Sequence, residues 1–115
     1  MRKQLNKSLI ERFSRQIILK NFWALGQKKI LSGKVLIIGV GGLGCPAADF
    51  LTRAGIGTLG IVDYDKVSLS NLHRQSLYEK TDVGKSKVVV IKKILNRMLS
   101  KSQILIQLLI RFYIL

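Results

Sequence analysis

Residues 39 to 44, "GVGGLG", set Gly39, Gly41 and Gly44 at the spacing G-x-G-x-x-G. Where a strand ends and a helix begins, that spacing serves phosphate chemistry. The first glycine allows the tight turn, the second lets backbone approach a phosphate, and the third lets helix and strand pack closely. The N–H groups at the helix start then face the anion. Asp63, about twenty residues on, ends an apolar run and occupies the position that takes ribose hydroxyls. It is followed by "VSLSNLHRQS", residues 67 to 76, where a nucleotide-binding fold would ordinarily turn into its next helix. An enzyme that cleaves a triphosphate needs cations beyond the first loop to hold the β and γ phosphates. Asn71 and Arg74 from this segment, with Lys87 at the next helix start, are placed to converge as such a clamp.

These groups need a scaffold. "KVLIIGV", Lys34 to Val40, is a continuous apolar and β-branched run, which predicts a strand buried on both faces in a parallel sheet. "GGLGCPAADFLTRAG" predicts a helix with Pro46 in its first turn and Gly55 as its C-terminal stop. Thr58 to Asp63 reads as a second strand and "SKVVVIKKILNRMLS" as a second long helix, with Val89, Ile91, Ile94, Leu95 and Met98 on one face. "SQILIQLLI" reads as a third strand. Upstream, Leu5, Leu9, Ile10, Phe13 and Ile17, then Ala24, Leu25, Ile30 and Leu31, predict two helices punctuated at Gly26 and at Ser32-Gly33. The expected fold is α/β: N-terminal helices over 1–33, then β-α-β-α-β over 34–115, a Rossmann-like three-layer domain with a parallel sheet.

Composition narrows the function classes. A chain of 115 residues with 48% hydrophobic content forms one small domain rather than a disordered segment. The net charge of +14 invites polyanions, although lysines spread along helix faces are ordinarily solvated surface. No interleaved basic and aromatic reader motif accompanies the charge, so nucleic acid is not an expected partner. The single cysteine, Cys45, excludes a disulfide framework and a cysteine zinc site within this chain, and is expected as a small side chain packed on the sheet. "MRKQLNKSLIERF" lacks the apolar core of a secretory signal. "ILIQLLIRFYIL" is too short to span a bilayer and carries Arg111. A cytoplasmic protein, or one inside an organelle, is expected, with no membrane partner.

Three ordered segments resemble one family. "RFSRQIIL" (12–19), "GQKKILSGKVLIIGVGGLGCPAADFLTRAGIGTLGIVDYDKVSLSNLHRQ" (26–75) and "VGKSKV" (83–88) are similar to the ThiF/MoeB/HesA proteins, relatives of ubiquitin-activating enzymes. The resemblance implies an ATP-dependent adenylyltransferase that binds MgATP and adenylates the C-terminal glycine of a ubiquitin-like sulfur-carrier protein, for thiamine or molybdopterin biosynthesis, usually as a homodimer. By position it implies that Gly41 and Gly42 line the phosphate loop and that Asp63 holds the ribose. Ser70, Asn71, Leu72, His73 and Arg74 would contact the nucleotide, and Lys87 would neutralise its phosphates. Arg15 would reach into the partner subunit's site. His73 is expected to pack or hydrogen-bond rather than act as a base, and Asp65 to orient the loop rather than bind metal.

The resemblance also implies a longer chain, with an aspartate that helps hold magnesium lying beyond residue 115, so no metal ligand is assigned here. A truncated or partial form of the enzyme is therefore expected. Two alternatives stand beside it: an NAD-binding oxidoreductase domain, and a non-catalytic partner that lends Arg15 to a full-length relative.

Overall fold

The computed structural model describes residues 4–98 and 104–105. Three helical pieces lead, α1 (Lys7–Arg12), α2 (Ser14–Ile17) and α3 (Trp23–Ser32), followed by β1 (Lys34–Ile38), α4 (Gly44–Ala54), β2 (Thr58–Val62), α5 (Lys87–Met98) and β3 (Ile104–Leu105). Gly26 lies inside α3 rather than ending a helix, because the turn at residues 20–22 has already separated α3 from α2. The remainder of the expected third strand falls outside the described residues.

The strands are parallel in the order β1-β2-β3, with Lys34 opposite Thr58 through Ile38 opposite Val62, and Thr58 opposite Ile104. Parallel neighbours need crossovers, and right-handed crossovers that keep moving the same way along a sheet lay their helices on the same face. Here α4 and α5 share one core with the sheet, built on Ala48, Leu59, Ile61, Val88, Ile91 and Leu95, all essentially inaccessible to solvent. Each fully buried aliphatic side chain contributes about 1.5–3 kcal/mol.

The same geometry corrects two expectations. β1 is not buried on both faces: Val35 and Ile37 pack on the core, but Leu36 is 52% exposed and Ile38 77%. On α5 the buried face is carried by Val88, Val90, Ile91 and Leu95, while Val89 is exposed.

At the foot of the sheet, where the strands begin, Leu9, Phe13 and Leu31 form a second cluster. Gln27 is fully buried there. Its Oε1 accepts from Gln16 Nε2 (2.6 Å) and its Nε2 donates to the Ala54 carbonyl (3.0 Å), which also accepts from Gln16 Nε2 (3.1 Å). Arg12 donates to the Met98 carbonyl, tying α1 to the end of α5. Gly55 ends α4 in the left-handed region (φ 94°), as its position predicts, and lies under Phe13 and Gln27.

Candidate nucleotide site at the strand ends

The opposite end of the sheet holds the glycine loop. Gly39 takes φ 92°, which allows the chain to leave β1 and turn at once. Gly44 allows the close approach: a Cβ there would lie 1.9 Å from the Gly39 carbonyl oxygen. Gly41 and Gly42 differ, since a Cβ on either would meet only ordinary contacts, the nearest with Gln75 Nε2 (3.6 Å) and the Arg74 side chain (3.7 Å) respectively. Two consecutive side chains of the polar segment thus lie against two consecutive glycines. Gly42 and Leu43 are exposed at the loop's tip, just before α4 begins.

Three groups fix the loop from beneath. Asp63 Oδ2 accepts from the Val40 N–H (2.8 Å) and Oδ1 from the Asp65 N–H (2.7 Å), so the end of β2 is tied both to the loop and to its own continuation. Tyr78 Oη (2.7 Å) and Cys45 Sγ (3.2 Å) both donate to the Val40 carbonyl. Burial pushes the Tyr78 phenol far up and raises the Cys45 thiol, although the Tyr78 hydrogen bond offsets part of the rise for the thiol. Both groups therefore stay protonated, as donors to one carbonyl must. Cys45 has the packed role its position predicts.

The polar segment is a closed excursion. Lys66 bridges to Ser86, the Val67 N–H donates to the Lys85 carbonyl (2.8 Å) and the Gly84 N–H to the Val67 carbonyl (2.8 Å). Within it a short 3₁₀ turn spans Leu69–Asn71, stabilised by the Ser68 N–H donating to Asn71 Oδ1 (2.9 Å). That bond uses the amide oxygen of Asn71 and leaves its NH₂ to donate elsewhere. Arg74 Nη1 donates to the Ser70 carbonyl (3.0 Å). Leu72 packs partly against the core, Ser70 is exposed, and His73 is exposed as well, with Nε2 3.5 Å from Arg74 Nη1. His73 is thus a surface side chain rather than a packed one.

Lys87 begins α5 with its side chain only 6% exposed, and its Nζ lies 3.6 Å from Asp65 Oδ2. The Asp65 side chain thus faces Lys87 rather than its own loop. Arg15 is exposed on α2 and makes no hydrogen bond or ion pair among the described residues; its neighbour Gln16 is the group that reaches inward. The structure therefore brings together Gly39, Gly41, Gly42, Gly44, Asp63 and Arg74 around one loop, with Lys87 behind Asp65, and leaves Arg15 out of that network.

Sequence reasoning passed over Gln75 and Tyr78. Both are buried in an otherwise polar stretch, three residues apart, and that spacing beside Leu77 was the available signal. Among the described residues, no three His, Cys, Asp or Glu side chains cluster as metal ligands. Both Asp63 oxygens accept backbone N–H groups and Asp65 faces Lys87; magnesium in nucleotide sites takes one or two carboxylates together with the nucleotide's own phosphates.

A glycine loop between the first strand and its helix, at the carboxyl ends of parallel strands, defines an α/β domain of the Rossmann type. The ThiF family model matches residues 13–107, and the chain belongs to the ThiF family. It is 54% identical over 83 residues to "Adenylyltransferase and sulfurtransferase MOCS3" of Caenorhabditis briggsae, covering 72% of this chain and 21% of that protein. The solved structure of E. coli MccB with ATP is 34% identical, with TM-score 0.71 over 76% of this chain and 26% of its own. E. coli TcdA, the tRNA N6-threonylcarbamoyladenosine dehydratase solved in complex with ATP, shares the fold at TM-score 0.82 and 23% identity, over 92% of this chain and 42% of its own. The chain thus spans about a fifth of the length of the first of these relatives. Among the described residues, no helix is long and apolar enough to cross a membrane.

Proposed function

We propose that the chain binds ATP at the strand ends and is the nucleotide-holding part of an adenylyltransferase that activates the C-terminal carboxylate of a ubiquitin-like sulfur-carrier protein. The observation that carries this reading is Arg74 lying along Gly42: a guanidinium sits beside a glycine loop that leads into a helix start, an arrangement suited to a phosphate. A nicotinamide site would explain the glycines and Asp63, but it has no γ-phosphate that calls for a clamp of cations beyond the loop.

The chemistry asks for placement and charge neutralisation more than for a protein nucleophile. The attacking carboxylate is already ionised, so no base need act, in keeping with an exposed His73. Each Asp63 oxygen retains a second lone pair for a ribose hydroxyl while its first holds the loop. The Asn71 amide nitrogen and the Arg74 guanidinium donate to phosphate oxygens. Lys87 supplies buried positive charge, held in place by Asp65 until the triphosphate competes for it. Arg15, outside its own chain's network, suits a role across a dimer. The carrier's pathway, thiamine or molybdopterin biosynthesis, is carried by the family resemblance of the motifs.

Calorimetric titration with ATP and, separately, NAD tests the reading. Binding of ATP alone is expected, weakened roughly tenfold in Arg74→Ala, about the worth of one charge-assisted contact, and similarly in Lys87→Ala. Unchanged affinity in both variants, or NAD binding in place of ATP, would overturn it.

A further inference from the structure

We infer that Gln75 is a nucleotide-positioning residue, acting through Gly41, next to the Gly42 that Arg74 lies along. Its backbone is pinned: the Gln75 N–H donates to the Asn71 carbonyl (2.8 Å) and its carbonyl accepts from the Tyr78 N–H (3.2 Å). The side chain is 3% exposed, and Nε2 points at the space a Cβ on Gly41 would take, 3.6 Å away. Its Oε1 is the one buried side-chain polar atom without a partner among the described residues. A buried amide with an idle acceptor weakens the fold that holds it, and methionine would fill the same space without that penalty. Glutamine at this position is therefore explained by what happens at the loop. Its amide, with Nε2 against Gly41, sets how far the loop stands from the floor of the site and so where a phosphate on that loop is held.

This inference rests on the ATP reading above. The test is the melting temperature and ATP affinity of Gln75→Met, with AMP titrated alongside. Expected are a melting temperature equal to or above the parent's and an ATP affinity lowered about tenfold, with a smaller loss for AMP. Gly41→Ala, whose Cβ meets only ordinary contacts, completes a double-mutant cycle in which the two losses are not additive. If Gln75→Met does not fold, Gln75→Glu keeps the shape and brings charge beside the phosphates, and should lose ATP more than AMP. A parent chain that binds no ATP overturns both readings. A parent that binds ATP, with variants that bind it equally or losses that simply add, overturns this inference alone.

Discussion

Two glutamines are buried at opposite ends of this sheet, and their surroundings differ. Gln27, at the foot, has its amide oxygen and nitrogen both engaged, with Gln16 and the Ala54 carbonyl, under the Phe13 cluster. Gln75, at the rim, has an idle oxygen beneath a loop of glycines. The foot is a finished hydrogen-bond network that joins the N-terminal helices to the end of α4. The rim has groups in reserve. Buried polar atoms in native folds are mostly satisfied, so the one left without a partner among the described residues, beneath the glycine loop, is what supports a ligand-facing role.

Substitutions sharpen this contrast. The largest effect is expected within the loop itself, at Gly44→Ala. Its Cβ would lie 1.9 Å from the Gly39 carbonyl, and chemical denaturation should show a loss of about 3 kcal/mol, whereas Gly41→Ala should stay near the parent's stability. Equal losses would erase the distinction between the packed and the open glycines of one motif.

Next comes Gln27→Met, which removes the two buried hydrogen bonds of Gln27 while the Gln16 bond to the Ala54 carbonyl remains, and should cost about 2 kcal/mol. An unaltered midpoint would make the two glutamines equivalent.

The third effect depends on pH. Tyr78 holds its proton more tightly in the folded state than in the unfolded chain, and so does Cys45. Their contribution is full below the unfolded values and declines as pH rises past about 9 for the thiol and about 10 for the phenol. Stability should fall by about 1.4 kcal/mol per pH unit above pH 10 from the phenol alone. Tyr78→Phe should remove that part of the slope and, at neutral pH, cost about 1 kcal/mol for the lost bond to the Val40 carbonyl. The same alkaline slope in the variant would detach Tyr78 from the loop.

Much of this was legible in the residues. The order of strands and helices, Pro46 in the first turn, the Gly55 stop and the packing of Gly44 on the strand all follow from local rules about φ, missing N–H groups and apolar runs. Those rules act over a few residues, so the sequence states them directly. Which side of an element faces the core was read less well. Val89 was expected inward and points out, and β1 was expected to be covered on both faces. Periodicity reports that a residue is apolar; the crossovers decide which face meets a helix.

By itself the sequence determined the loop, its family and the polar residue types placed after Asp63, because each is written in contiguous spacing. Only the tertiary structure decided the pairings across the chain: Asp63 with Val40, Lys87 with Asp65, Tyr78 and Cys45 on one carbonyl, Gln27 satisfied and Gln75 not. A hydrogen bond depends on angstroms and direction, and residues separated by tens of positions acquire those only when the sheet has brought its strand ends together.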